Sequence, residues 1–127
     1  MPTHAQIIDT ADQLFAAIAD GDADAVTALW SDDVTVWHTG DERDNDKARA
    51  LKVIRWYVGA TTYRRYEVLD RQVFDGGFVQ QHILHCTNLG GEQLALRVCL
   101  VVKIGDDGLI RRIDEYLDPA DLAPLLS

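Results

Sequence analysis

The stretch FVQQHILHCTNLGGEQLALRVCLVVKIGDDGLI, Phe78 to Ile110, decides the fold. Apolar residues alternate with other side chains over two runs, Phe78–Thr87 and Gln93–Ile104, and the breaks LGG and GDDG hold the residues that tight turns require. Short breaks between consecutive strands mean hairpins, so the runs pair antiparallel. The same period continues outward, to Tyr66–Phe74 before the DGG break and to Leu109–Leu117 after GDDG. An antiparallel meander therefore fills the second half of the chain.

Toward the N-terminus the period changes to that of helices. Ile7, Ile8, Ala11, Leu14, Phe15 and Ile18 form one apolar stripe over Gln6–Ala19, with Asp9, Asp12 and Gln13 opposite. DGD ends that helix and Asp22 is placed to cap a second one, whose buried stripe is Val26, Leu29 and Trp30 and which SDD closes. A strand follows from Val34 to His38. The polar run Gly40–Asp46 reads as a solvated loop with Asp44 or Asn45 capping a third helix, on which Leu51, Ile54, Tyr57 and Val58 share a face opposite Lys47, Arg49, Lys52 and Arg55. GATT breaks it, and DPADLAPLL ends the chain as a short helix begun by Pro119. Helices first and a sheet afterwards predict one α+β domain over residues 1–127, without repeat or linker.

The 127 residues carry 21 acidic and 12 basic side chains, a net charge of -9. Such a surface repels phosphate backbones and anionic headgroups, so neither nucleic acid nor membrane is an expected partner. No apolar run approaches the length of a membrane span and no signal peptide is apparent, which fits a cytoplasmic protein. Cys86 and Cys99 both lie in apolar strand patterns and read as unpaired thiols without zinc.

Strand parity selects the candidate site. Ile113, Glu115 and Leu117 share one face of the last strand, so Glu115 is a carboxylate among apolar neighbours, where desolvation raises its pKa toward the range useful for proton transfer. The alternative is a structural partner such as Arg97. His38 shares a row with Val34 and Val36 and suits a general base. His82 and His85 point to opposite faces, the first with Gln80 and Leu84, the second with Gln81 and Ile83; apolarity alone does not choose between them. Trp56, Tyr57 and Tyr63 could line a pocket mouth or serve packing. Two histidines and a glutamate could bind zinc or iron, but no local ligand spacing supports a metal, and no phosphate-cradling glycine loop implies an organic cofactor.

The element order, with AIADGDADAVTALWSDDVTVWHTGD near the start and DGLIRRIDEYLDPADLAPLL at the end, resembles the SnoaL-like branch of the nuclear-transport-factor-2-like superfamily, which includes ketosteroid isomerases and limonene-epoxide hydrolases. The resemblance spans nearly the whole chain. It implies a curved antiparallel sheet wrapped as a cone-shaped half-barrel on the N-terminal helices, an apolar pocket at its open end, and a homodimer through the outer sheet face. His38 matches the isomerases' carboxylate base, His82 falls near a catalytic arginine of the epoxide hydrolases and thus inside, and Glu115 matches their last-strand aspartate. Leu14 and Leu100 replace the isomerases' tyrosine and protonated aspartate, and Leu84 replaces a second hydrolase aspartate, so neither constellation is complete.

The implied function is cofactor-independent acid–base chemistry on a small apolar molecule by an isomerase, cyclase, dehydratase or hydrolase. His38, His82 and Glu115 are the catalytic candidates, and Gln80, Tyr57, Leu14, Leu84, Leu100, Ile113 and Leu117 the ligand-binding ones. The competing expectation is a non-catalytic ligand-binding or dimerisation module of the same fold.

Overall fold

Thr3 opens the first helix with a reciprocal cap: its hydroxyl accepts the Gln6 N–H at 3.1 Å while the Gln6 side chain accepts the Thr3 N–H at 2.8 Å. In the computed structural model, which describes residues 1–126, this helix (α1, His4–Ala19) buries Ile7, Ala11, Leu14, Phe15 and Ile18. Gly21 turns the chain at φ 73°, a conformation open to glycine without steric cost, and Asp22 caps α2 (Ala23–Leu29) by accepting the Ala25 N–H.

The chain is extended immediately after Leu29. Strand β1 runs Trp30–His38, so Trp30 and the SDD segment belong to the strand and not to the close of α2 as expected. Trp30 pairs with Ile110 and Thr35 with Arg112, so the residues between them bulge out of register; there the Ser31 hydroxyl donates to Asp33 at 2.8 Å. Gly40–Asp46 is likewise more than a solvated loop. Asn45 is buried and exchanges both backbone hydrogen bonds with Val36, and Asp46, rather than Asp44 or Asn45, caps α3 (Lys47–Ala60).

Helix α3 passes straight into β2 (Thr61–Phe74), which starts earlier than its alternation suggests, and GATT is no break. The Thr61 hydroxyl donates to the Tyr57 carbonyl at 2.8 Å, satisfying the helix end within the strand's first residue. Strands β3 (Gly77–Asn88), β4 (Gln93–Ile104) and β5 (Ile110–Tyr116) complete the antiparallel meander. Strand β1 then joins beside β5 in parallel, giving the order β1-β5-β4-β3-β2. The sheet is therefore mixed, not wholly antiparallel. Parallel neighbours need a long crossover, supplied here by α3 and the three intervening strands. A 3₁₀ turn (Pro119–Leu122) and a last short helix (α4, Ala123–Leu126) close the described chain. Among the described residues no helix is long and apolar enough to cross a membrane.

Register fixes the faces. Phe78, Gln80, His82, Leu84 and Cys86 of β3 are all buried against the helices, as are Leu96, Val98, Leu100 and Val102 of β4. His82 is 1% exposed on this inner face, whereas His85 lies on the other and meets Glu67 at 2.8 Å. Cys99 shares the outer parity, so it and Cys86 stand on opposite faces as free thiols.

Arg64 holds the helical layer to the sheet. Its Nε donates to the carbonyls of Ile18 and Ala19 at 3.0 and 3.3 Å, and its Nη1 to Val58 O, Thr61 O and Thr61 Oγ1. A positive charge thus meets the C-terminal carbonyls of both α1 and α3, where the helix dipoles are negative. Arg64→Met is expected to cost about 2 kcal/mol, a fall in Tm of roughly 8 °C for a chain of this length, read by thermal unfolding. A change within experimental error would mean that water serves those carbonyls equally well.

Candidate active site

Helices α1 and α3 do not fill the concave face of the sheet. A cavity of about 170 Å³ remains, walled mainly by apolar side chains. Leu14, Leu84, Leu100, Ile113 and Leu117, the apolar residues read above as ligand-binding candidates, all line it, and so do Trp56 and Tyr57 of α3. Tyr63 does not: it is 54% exposed and outside the wall. Gln80 does not reach the wall either. It is fully buried behind it, engaged on both sides by protein groups, which corrects its expected role as a ligand contact.

Glu115 is the carboxylate of the cavity. It sits directly beside His38 in the parallel β1–β5 pairing, and among the described residues no side chain or backbone group hydrogen-bonds its carboxylate. Arg97, the partner considered for it, is exposed and opposite Ile83, whose parity places it away from the cavity. Burial pushes the Glu115 pKa above the ordinary carboxylate range, with His38 pulling weakly the other way. An unpaired ionised carboxylate in an apolar wall is costly, and holding the proton relieves that cost.

His38 is at the same end of the cavity but is not free. Its Nε2 lies 3.0 Å from Asp41 and its Nδ1 3.2 Å from the Thr39 carbonyl. Asp41 also accepts from the Asn45 amide at 2.6 Å, so His38, Asp41 and Asn45 form one rim network. Both imidazole nitrogens face oxygen acceptors, which leaves neither open to a substrate while these contacts hold.

His82 lies across the sheet from Glu115, two strands and two residues away, roughly 12 Å between backbones by strand spacing. Burial, and secondarily the Arg71 charge, push its pKa down to about 4, so the ring is neutral at physiological pH. Its Nδ1 is 2.9 Å from the Gln80 amide nitrogen, and the ring stands edge-on to Phe15 and Tyr66 at centroid distances of 5.5 and 4.9 Å. Tyr66 also lines the cavity, and its hydroxyl makes no hydrogen bond among the described residues. Burial, with the Glu115 carboxylate second, keeps that hydroxyl protonated far above neutrality. Tyr66 was not among the expected site residues; its signal was its even spacing, opposite Leu84, on the strand next to His82.

The arrangement offers one desolvated carboxylate, a neutral imidazole and a phenol around an apolar space. A proton acceptor and hydrogen-bond donors on the wall of one cavity can remove or relay a proton while stabilising charge that develops on an oxygen. Among the described residues no three His, Cys, Asp or Glu side chains are grouped to hold a metal ion.

An open curved sheet with helices in its concave face and an apolar cone between them defines an α+β cone fold of the nuclear-transport-factor-2-like kind. The sequence profile of the SnoaL-like domain matches residues 11–113, and the chain belongs to that family. Solved structures share its shape. PrhC from Penicillium brasilianum superposes with a TM-score of 0.85 at 16% identity, over 98% of this chain and 88% of that one. An LEH-like epoxide hydrolase from M. tuberculosis gives 0.77 at 20% identity, over 96% and 90% of the two chains. SalBIII, an epoxide hydrolase/cyclase-like enzyme with a role in pyran ring formation in the polyether salinomycin, gives 0.82 at 15% identity over 95% and 97%. At these identities the likeness is one of fold. No curated protein sequence matches the chain significantly.

Proposed function

We propose that this protein is an enzyme performing cofactor-independent acid–base chemistry on a small, uncharged, oxygen-bearing apolar molecule. The observation that carries this reading is Glu115: a carboxylate without a hydrogen-bond partner among the described residues, its pKa raised, on the wall of an apolar cavity that also presents His82 and Tyr66. Glu115 takes a proton from a carbon next to a carbonyl, or from a water or hydroxyl that attacks an activated carbon. His82 and Tyr66 donate to the oxygen on which negative charge grows. This assignment moves the proton acceptor from His38, whose nitrogens are engaged, to its neighbour, and leaves His38 to orient the rim around Glu115. Isomerisation, ring closure and epoxide opening can each use a proton acceptor with hydrogen-bond donors of this kind, and names such as epoxide hydrolase and cyclase among structural neighbours are consistent with it.

Cavity size limits the ligand. An apolar cavity of roughly 150 Å³ takes up one benzene-sized molecule, so about 170 Å³ suits a single six-membered ring, with substituents reaching out past the half-exposed Trp56. Proton NMR in heavy water on a panel of ketones, lactones, epoxides and polyketide-like aromatics tests the reading. Deuterium exchange or turnover is expected for monocyclic members and not for fused tricyclic ones. Line broadening of panel members without exchange or turnover would replace the enzyme with a ligand-binding module.

A further inference from the structure

We propose that Arg71 and Gln80 are positioning residues that fix which nitrogen of His82 carries its hydrogen, so that the ring presents an Nε2–H donor to a carbonyl, epoxide or ether oxygen in the cavity. The proposal deepens the reading of the site given above. Its starting point is a chain of three contacts that no ligand needs to complete. Asp12 accepts from Arg71 Nη1 at 2.8 Å, Arg71 Nε donates to Gln80 Oε1 at 2.8 Å, and the Gln80 amide nitrogen lies 2.9 Å from His82 Nδ1.

The chemistry of each member leaves one arrangement. A guanidinium only donates, so the amide oxygen of Gln80 must face Arg71. The amide NH₂ then faces His82, and Nδ1 must accept. A neutral imidazole accepting at Nδ1 carries its hydrogen on Nε2. Turning the amide over would set N–H against N–H at Arg71, and the alternative ring tautomer would set N–H against N–H at Gln80. Gln80 is 0% and His82 1% exposed, so no water stands by to repair either mismatch. With Nδ1 occupied, Nε2 is the polar atom that a ring lining the cavity has to offer.

Arg71 reaches this position through a fault in the strand. Val68 pairs with His82, but the next partners are Asp70 with Gln81 and Arg71 with Gln80, so the register slips by one residue at Leu69. Without that bulge Asp70 would face Gln80 and could accept from it, reversing the order of donors. The slip instead delivers a cation, held between Asp12 and the rings of Phe15 and Phe78, each 5.9 Å from its guanidinium carbon.

Ring-nitrogen NMR on protein labelled with ¹⁵N-histidine tests the relay near neutral pH. The wild type is expected to show a pyridine-like Nδ1 and a pyrrole-like Nε2 for His82. In Gln80→Glu the carboxylate accepts from both neighbours, and His82 is expected to gain an Nδ1–H. In Arg71→Met, which keeps the contact with the two phenylalanine rings but removes the donor, the amide is free to turn and a mixture of tautomers is expected. Cyclohexanone, as an uncharged acceptor probe, should move the Nε2–H proton of the wild type downfield, whereas Gln80→Glu, with its hydrogen on Nδ1, should show no such proton to move. A pyrrole-like Nδ1 in the wild type, an unchanged Nε2–H tautomer in either folded variant, or a proton that ignores cyclohexanone would each overturn the proposal; if Gln80→Glu does not fold, the wild-type and Arg71→Met spectra decide it. The tautomer is read without turnover, so the relay and the enzymatic reading can fail separately.

Discussion

Glu115→Gln is expected to lower turnover by about 10²–10⁴-fold and, at neutral pH and above, to make the protein more stable. The first part is the usual contribution of one positioned proton-transfer group, with amide replacing carboxylate at nearly the same volume. The second follows from linkage. Burial raises the folded-state pKa of Glu115 above its unfolded value, so in the window between the two the native state binds more protons than the unfolded one. The stability that Glu115 contributes is therefore fully present below the ordinary carboxylate range and is lost as pH rises through the raised folded pKa. Glutamine behaves as a permanently protonated carboxyl, does not lose that stability, and should separate from the wild type as pH rises. The check is kcat together with urea unfolding at pH 5 and pH 8. A variant that is less active and also less stable at both values would make Glu115 a structural residue and remove the main support for the proposed chemistry. Loss of activity with a gain of stability is the pattern of a group kept for function against the interest of the fold.

The meander was legible because its signal is local: alternation along each strand and glycine-rich turns between strands. The inner placement of Glu115 followed from parity alone, since Ile113 and Leu117 flank it. Three parts of the site were not legible, each for a reason of register or partnership. Alternation cannot say whether an adjacent strand runs parallel, so the β1–β5 pairing that sets His38 beside Glu115 appears only in three dimensions. The two consecutive apolar residues Val68 and Leu69 were the only trace of the bulge that turns Arg71 inward, and reading the strand as strictly alternating hid Arg71's role. Gln80 was placed on the correct face but given the wrong neighbour. A buried amide looks the same in sequence whether it meets a ligand or, as here, an arginine and a histidine.

His82→Leu is expected to flatten the acid side of the stability profile. The pKa of His82 is pushed from 6.5 to about 4, first by burial and then by Arg71, so the folded state resists a proton that the unfolded chain accepts. For a group depressed in this way, stability is fully present above the unfolded pKa and is lost as pH falls from about 6.5 to about 4. Over that window the term reaches roughly 3 kcal/mol, and by pH 4.5 about 2.5 kcal/mol of it has gone. Leucine cannot titrate. It leaves the Gln80 amide short of an acceptor, but that cost is the same at every pH and cancels when the difference between variant and wild type is compared at pH 7 and pH 4.5. Glu115 titrates in the opposite sense and is common to both proteins. Urea unfolding at the two values should therefore show the gap between wild type and variant moving by ~2–3 kcal/mol in the variant's favour on acidification. A gap that does not move would mean that His82 ionises as easily in the fold as out of it. Its neutrality would then be lost on mild acidification, and the pH–rate profile of the wild type should carry an additional limb near the ordinary histidine pKa.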